Sequence, residues 1–238
     1  MSGADVVWHD VECGGYDADI SLWIELAKDV PEGVLDVGAG TGRVALRLAQ
    51  AGYTVTALDI DSELLAALEQ RAAAKGLEIT TLAADANDFE LRHPVGLIAV
   101  PMQTIQLLPE RDGFFASARR ALVPGGRVAI AIATELDAYD GAAPLPIPDF
   151  GESNDGSTYI SQPVAIRVYE DHVEIERIRQ IVSPTGERTS AGDLIRLSVV
   201  TPGELAEEAA AHGLEAEELL HIPETLEHVA SQVVVFRG

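Results

Sequence analysis

The sequence predicts an α/β fold in which helices cover both faces of a mostly parallel sheet. Short apolar, β-branched runs alternate with amphipathic helical stretches between residues 34 and 133. Parallel strands need such crossover helices, and burial on both faces makes the strands nearly continuous in apolar residues, as in Val95–Val100. A glycine-rich segment directly follows the first strand-like run, which is typical of a strand-to-helix turn that binds a ligand.

Particular residues justify the ends of these elements. Gly52 stands where a left-handed residue closes a helix, and Asp61 or Ser62 can cap the next helix with a side-chain oxygen. Pro109 can open a further helix, and Pro124-Gly125-Gly126 is predicted to turn the chain into a fifth strand. We therefore predict strands at 34–37, 54–58, 77–83, 95–100 and 127–133, and helices at about 42–50, 62–76 and 109–122.

The alternation stops after the fifth strand. Residues 137–158 are rich in proline and glycine and indicate a mobile loop. Three antiparallel strands are predicted after it, at 160–169, 173–182 and 193–200. The segment 201–204 then fits a capping box for a helix that ends at Gly213, and two last strands are predicted near 219–222 and 232–236. The chain thus divides into a main domain, 1–136 with 201–238, and an inserted antiparallel meander, 137–200, as a candidate lid, substrate or dimer element.

Composition excludes several classes of protein. Of the 238 residues, 47% are apolar, which is enough for a large buried core. The single cysteine, Cys13, cannot form an internal disulfide. With 39 acidic and 16 basic residues the formal charge is −23, which disfavours binding to nucleic acid or to an anionic membrane. We find no apolar run of the roughly 18 residues that span a bilayer and no secretory signal, so a cytoplasmic location is expected.

The glycine-rich segment carries the clearest chemical signal. An acid, Asp36, precedes glycines at positions 38, 40 and 42. Glycines let a ligand approach the backbone, and the following helix presents free N–H groups. The nicotinamide fingerprint places its third glycine three positions after the second, whereas here it follows after two. This spacing argues against a dinucleotide, although a tight structural turn alone could also explain the glycines.

Two carboxylates at neighbouring strand ends complete the pattern. Asp59 ends the second strand and can accept two hydrogen bonds from a ribose diol. Asp85 ends the third strand and can accept from the amine of an adenine. Either residue could instead have a structural role, Asp59 in starting a helix and Asp85 in a solvated acidic turn. Together with the turn, they favour a ligand that contains adenosine.

These residues identify the chain as similar to the class I S-adenosylmethionine-dependent methyltransferases. The matching segments are Val34–Gly42, Ala57–Asp61, the Asp85 position and Leu122–Gly126. The resemblance implies a Rossmann-like, seven-stranded, mostly parallel sheet that ends in an antiparallel hairpin. It also implies S-adenosyl-L-methionine as the cofactor.

The resemblance implies roles for residues around the methionine part of that cofactor. The turn residues Gly38, Ala39 and Gly40 would line it, with Asp36 bonding to its ammonium group directly or through water. Two residues at the end of the fourth strand would lie under it, and a tyrosine near the N-terminus would close over it; these are Pro101, Met102 and Tyr16.

On the adenosine side, the resemblance implies that Asp59 holds the ribose hydroxyls. Ile60 would pack on the adenine ring, and Asp85 with Ala86 would recognise its edge. No metal site is implied, since we find no histidine–carboxylate grouping with ligand spacing.

The methyl acceptor is expected to be a small molecule, methylated on nitrogen or oxygen. The meander resembles, in architecture only, the lid or dimerising insertion of small-molecule N-methyltransferases. Gln103 and Tyr139 are candidate substrate-binding residues, with a solvated loop residue and a rim tyrosine as the alternatives. We assign no catalytic base, because an in-line transfer to a neutral amine does not require one.

Two other functions remain open on the sequence alone. One is an NAD(P)-dependent reductase built on the same type of sheet, which the glycine spacing disfavours. The other is a non-catalytic, cofactor-binding interaction protein, because fold does not settle function. The edge strands of the meander also make a homodimer plausible.

Overall fold

The computed structural model describes residues 4–28, 30–142, 145–225 and 228–238. The chain forms two compact units. The larger comprises Asp17–Thr134 and Val200–Gly238, and the smaller comprises Met1–Tyr16 and Glu135–Val199. This division differs from the predicted one at the N-terminus, where residues 4–16 belong with the inserted segment. Residues 143 and 144 of the predicted loop lie outside the described residues.

The larger unit is built on the predicted seven-stranded, mostly parallel sheet. In chain order its strands are β1 (Val34–Val37), β2 (Val55–Asp59), β3 (Thr80–Ala83), β4 (Val95–Val100), β5 (Leu122–Ile132), and the two closing strands described below. Helices connect them; they are α2 (Ile20–Leu26), α3 (Ala45–Gln50), α4 (Ser62–Ala74), a 3₁₀ helix (Thr104–Leu107), α5 (Asp112–Ala121) and α6 (Pro202–Ala210). Helix α2 precedes β1, and the first helix of the chain, α1 (Ala4–Cys13), belongs to the smaller unit. The Rossmann-like prediction is confirmed.

The order of the strands brings the ends of β1, β2 and β4 together. Across the sheet the five strands run β5-β4-β1-β2-β3, all parallel, so β1 is central and pairs with both β2 and β4. Strands β1 and β4 are buried at every position, which explains their apolar sequences. The loops that leave β1, β2 and β4 therefore meet at one edge.

The hairpin that closes the sheet is also confirmed. Strands β10 (Glu215–Ile222) and β11 (Ser231–Arg237) pair antiparallel, and β11 pairs antiparallel with β5. Phe236 on β11 is fully buried and meets Phe115 of α5 edge to face, with ring centroids 6.2 Å apart. The core of this unit therefore joins sheet, helices and hairpin. In the ranges that the structure describes, no helix combines the length and the apolar character of a bilayer span.

One predicted turn in this unit is wrong. The Pro124-Gly125-Gly126 segment lies inside β5, which begins at Leu122 and not at residue 127. Its pairing with β4 shifts register between Val95 and Leu97, and Gly125 has φ +78°. The segment is an irregularity in a longer strand, because a local glycine conformation can absorb the extra residues without ending the ladder.

The smaller unit contains a four-stranded antiparallel sheet and one helix. The helix is α1 (Ala4–Cys13), and the strands are β6 (Asp149–Glu152), β7 (Thr158–Val168), β8 (His172–Val182) and β9 (Arg188–Ser198). Their order across the sheet is the same as their order along the chain. The three-stranded meander is confirmed. The prediction of a loop throughout 137–158 is wrong, since β6 lies within it.

Helix α1 packs on this sheet through a ring pair and a partly buried ion pair. Trp8 meets Tyr159 of β7 edge to face at 4.7 Å. The Glu12 carboxylate accepts two hydrogen bonds from Arg179 of β8, at 2.8 and 2.6 Å, and one from Ser161 at 2.8 Å. Because these partners lie more than 140 positions away along the chain, local sequence gives no sign of them.

Candidate active site

The glycine turn between β1 and α3 has a backbone that other residues rarely adopt. Gly38, Gly40 and Gly42 have φ of +71°, +54° and +97°. A Cβ on Gly38 would lie 2.5 Å from Cγ2 of Thr104, and one on Gly42 would lie 2.8 Å from Cγ of Leu68. Both conformation and space therefore require glycine at positions 38 and 42.

Asp59, at the end of β2, is tied directly to this turn. Its Oδ2 accepts a hydrogen bond from the Gly40 N–H at 2.7 Å, and its Oδ1 accepts from the Asp61 N–H at 2.9 Å. A carboxylate offers about four acceptor sites, so each oxygen keeps capacity for another donor. The side chain is fixed in place and can still bind a pair of hydroxyls.

Asp36 is the unusual group of the site. It is 1% exposed, and neither of its oxygens has a hydrogen-bond partner of normal geometry. Burial raises the pKa of Asp36 to about 7, opposed by the charge of Arg43 and by the Ala45 backbone N–H, while the charges of Asp19 and Asp59 raise it further. A buried carboxylate without a partner is rare and points to a ligand that would satisfy it.

The segment that leaves β4 packs against the turn from the other side. Pro101 is buried, and its carbonyl accepts a hydrogen bond from the Thr104 hydroxyl at 2.9 Å. Met102, between them, has φ +53°, the single positive value among the non-glycine residues that the structure describes. Backbone strain of this kind clusters at functional sites. Thr104 lies against Gly38, so the predicted pair Pro101 and Met102 lies close to the glycine turn.

The residues predicted for the adenosine side lie at the ends of β2 and β3. Ile60 follows Asp59 and is 76% exposed, which leaves its side chain open to a flat apolar ligand. The Ala84 N–H donates to the Asp59 carbonyl at 3.1 Å, so the β3 end, with Asp85 and Ala86, is held against the β2 end. Asp85 is exposed, and its Oδ1 accepts from the Asn87 N–H at 2.8 Å. One of its two carboxylate oxygens is thus already used in the acidic turn that the sequence analysis gave as the alternative role.

The remaining predicted residues are divided between the two units. Tyr16 and Tyr139 lie in the smaller unit, where Tyr139 bridges to Ile166 through its backbone and donates its hydroxyl to the Ala142 carbonyl at 2.6 Å. Gln103 does lie in the larger unit, half-buried at the start of the 3₁₀ helix, where its carbonyl accepts from the Gln106 N–H. The roles of these three residues stay predictions.

A buried ion pair beside the turn escaped the sequence analysis. Arg43 donates to both oxygens of Asp19, at 2.5 and 2.8 Å, and the Trp23 indole N–H donates to Asp19 at 2.8 Å. Asp19 is fully buried, and the Arg43 side chain is 9% exposed. The available signals were an arginine directly after the glycine motif and the i, i+4 spacing of Asp19 and Trp23. No local pattern, however, pairs residues 24 positions apart.

Comparison with known proteins finds a family that is similar to part of this chain. Residues 34–126, which run from β1 into β5, match the family described as "Methyltransferase domain". Residues 34–126 are therefore similar to a methyltransferase domain. The match includes the glycine turn, Asp59, Asp85 and the segment after β4, which are the elements that meet at the sheet edge.

Curated relatives match parts of the chain. The ubiquinone/menaquinone biosynthesis C-methyltransferase of Agrobacterium fabrum is 33% identical over 136 residues, which are 52% of each chain. The malonyl-[acyl-carrier protein] O-methyltransferase of Geobacter sulfurreducens is 36% identical over 104 residues, 43% of this chain and 39% of that one. The chain therefore spans about half or less of these relatives' length.

A solved structure is similar in fold over the whole chain. The S-adenosylmethionine-bound amino pentose methyltransferase of Micromonospora echinaspora has a TM-score of 0.69 and covers 100% of this chain and 97% of its own. At 16% identity this is a likeness of fold alone.

The raised pKa of Asp36 predicts how stability depends on pH. Between about pH 4 and pH 7 the folded protein keeps a proton that the unfolded chain has lost, so this residue makes the free energy of unfolding fall as pH rises, by up to about 1.4 kcal/mol per unit. Asp36→Asn has no such proton. We expect the difference in urea unfolding between wild type and Asp36→Asn to fall from pH 5 to pH 7 and then level off. A constant difference across this range would contradict the buried, unpartnered environment of Asp36.

Proposed function

We propose that this chain is an S-adenosyl-L-methionine-dependent methyltransferase that methylates a nitrogen or oxygen of a small molecule. The observation that carries the proposal is the buried Asp36 carboxylate without a hydrogen-bond partner, at the base of a glycine turn. A ligand with an ammonium group would satisfy this carboxylate, and one with a ribose would use the remaining acceptors of Asp59. The cofactor carries both groups.

The residues present fit the cofactor in kind as well as in position. The backbone of Gly38, Ala39 and Gly40 would lie along its methionine part, with Pro101 and Met102 on the other side. The exposed Ile60 side chain would pack on the adenine, and Asp85 with Ala86 would meet the adenine edge. The glycine spacing disfavours the alternative of NAD(P), since its fingerprint needs a different third glycine.

The chain's own residues would act mainly by positioning. When bound, the cofactor supplies a methyl group on a sulfonium, which an in-line attack transfers. Holding the reactants in line supplies about 7–11 kcal/mol of such a barrier. Asp36, Asp59 and the glycine turn would fix one reactant, and Gln103 would orient the acceptor from the start of the 3₁₀ helix. An amine acceptor needs no general base, so none is assigned.

The acceptor is proposed to be neutral or cationic, because a formal charge of −23 steers anions away. Nucleic acid and membranes are not proposed as partners for the same reason. The named relatives methylate carbon and oxygen and the solved neighbour acts on an amino pentose. We propose nitrogen or oxygen as the accepting atom because each carries a lone pair that can attack an aligned methyl group.

The domain roles are also part of the proposal. The segments 1–136 and 201–238 would bind the cofactor, and 137–200 would serve as lid, substrate or dimer element. Tyr16 would close over the cofactor, and Tyr139 would bind the acceptor. A cytoplasmic location completes the proposal.

The first prediction concerns which ligands bind. In parallel thermal-shift titrations we expect S-adenosylmethionine and S-adenosylhomocysteine to stabilise the protein and NADH to have no effect. Ligand at about a hundred times its Kd adds roughly 2.7 kcal/mol, which gives a clear rise in Tm. Stabilisation by NADH alone would favour the reductase, and no effect from all three would contradict cofactor binding.

A matched pair of glycine variants locates that binding. Gly40 and Gly76 have similar φ, +54° and +66°, so valine strains the backbone in the same way at both positions. We expect both Gly40→Val and Gly76→Val to lower Tm, and Gly40→Val alone to lose more than tenfold in S-adenosylhomocysteine affinity by calorimetry. Equal affinities in the two variants would remove the site assignment.

A further prediction concerns the pH dependence of ligand affinity. Binding of an ammonium group needs ionised Asp36, so at pH below about 7 the protein must first lose a proton. We expect the Kd for S-adenosylhomocysteine to rise about tenfold per unit as pH falls from 6.5 to 5.5, and to level off near pH 7. Asp36→Asn should bind weakly at every pH, with no such slope. A flat profile in the wild type would show that Asp36 does not meet the ammonium.

A third prediction concerns assembly. The edge strand β6 carries Phe150, which is 73% exposed, and such an edge pairs readily with another copy. We expect a homodimer in sedimentation velocity at tens of micromolar, and a monomer for Phe150→Asp. A wild-type monomer at this concentration would contradict the dimer, and a dimer that survives Phe150→Asp would place the interface elsewhere.

A further inference from the structure

Two buried carboxylates near Arg43 are treated very differently by the fold. Asp19 takes a hydrogen bond from each terminal nitrogen of the Arg43 guanidinium, at 2.5 and 2.8 Å. Asp36 takes none, although the charge of Arg43 is the largest influence that opposes its protonation. An arginine whose charge acts on a buried carboxylate without a partner would normally pair with it, because an unpaired buried charge is costly. Something therefore holds Arg43 to Asp19.

The position of Asp19 in its helix supports this interpretation. It occupies the N-cap of α2, where an aspartate usually accepts a hydrogen bond from its own helix. Here the side chain makes no cap hydrogen bond. Both oxygens face Arg43, and Oδ2 also accepts from the Trp23 indole N–H at 2.8 Å. The residue gives up its local role for a fixed orientation toward Arg43.

We propose that Asp19 is a positioning residue that holds the Arg43 guanidinium away from Asp36, so that the Asp36 carboxylate is left for a cationic group of a ligand. The identity of that group, the ammonium of the cofactor, rests on the proposed function. The orientation of Arg43 does not depend on it and can be tested without ligand.

The charges that chiefly act on Asp36 are Arg43, Asp19 and Asp59, with the Ala45 backbone N–H. Of these, Arg43 is the cation, and Asp19 neutralises it. If Asp19 loses its charge, Arg43 becomes a competitor for Asp36 and a repulsive neighbour for an incoming ammonium. If both charges are removed, burial dominates, and Asp36 is harder to ionise.

The first arm of the test measures the ionisation of Asp36 without ligand. In each background, the pH dependence of urea unfolding is compared with that of the same background carrying Asp36→Asn. The pH at which this difference levels off gives the midpoint of Asp36 ionisation. We expect this Asp36 midpoint to fall by at least one pH unit in Asp19→Asn. In Asp19→Asn/Arg43→Gln we expect it to rise to or above the wild-type value. The same midpoint in all backgrounds would overturn the proposal.

The second arm measures S-adenosylhomocysteine binding by calorimetry at pH 7.5. We expect Asp19→Asn to bind about tenfold more weakly than the wild type, and the double variant to recover most of that loss. A purely structural role would lower Tm and affinity with an unchanged Asp36 midpoint. Loss of affinity without recovery in the double variant would also count against the proposal.

Another bidentate pair in the larger unit provides a matched control. Arg111 donates to Glu208 at 2.8 and 2.6 Å, and neither residue is among the groups that chiefly act on Asp36. Glu208→Gln should lower Tm without moving the Asp36 midpoint or the affinity for S-adenosylhomocysteine. A shifted midpoint in Glu208→Gln would mean that the effect is not specific to Asp19.

The two arms separate this proposal from the proposed function. A wild type that binds no S-adenosylhomocysteine contradicts the function, while the midpoint in the first arm still decides the role of Asp19. If Asp19→Asn does not fold, the double variant decides alone, since neutral partners remove the unpaired charge. Its midpoint must then equal or exceed that of the wild type, and a lower value would overturn the proposal.

Discussion

A carboxylate without a hydrogen-bond partner in the central strand of the sheet is the constraint on which the rest of the site depends. Strand β1 is buried on both faces, and burial disfavours the charged form of Asp36 strongly enough to bring its pKa to about 7. A shift of register by one residue would turn this side chain to the other face. The pairing of β1 with β2 and β4 therefore fixes not only the core but also the place where a cation can be bound.

The glycine turn is held from two sides by this same pairing. On one side Asp59, which ends β2, accepts from the Gly40 N–H. On the other, Thr104, which follows β4, leaves no space for a Cβ on Gly38. Both neighbours lie at or just beyond the ends of strands of the sheet and hold the turn in place, which is how a site becomes preorganised. Its donors and acceptors are set before any ligand arrives.

The sequence predicted those parts of the molecule that repeat a local rule. The β–α alternation and the capping box at Thr201 follow from short-range spacing, the closing hairpin was implied by the family resemblance, and the structure has all three. The glycine turn and Asp59 were predictable because backbone freedom and a strand-end acid leave a mark in sequence. Asp19 and Arg43 were not, since their pairing depends on two segments meeting in space. Strand β6 was missed because four residues among prolines carry too little alternation to identify a strand.

The same distinction explains why the cofactor is easier to infer than the acceptor. A cofactor bound through backbone N–H groups and strand-end acids requires particular glycines at particular spacings. Its site can therefore be recognised from a single sequence. The smaller unit is held instead by side-chain pairs such as Glu12 with Arg179, and an antiparallel sheet with alternating faces accepts many sequences. If the smaller unit binds the acceptor, as proposed, its surface can change acceptor without a change of fold. Specificity in this chain is therefore expected to reside in side chains rather than in a backbone motif, and it has to be found by varying those side chains one at a time.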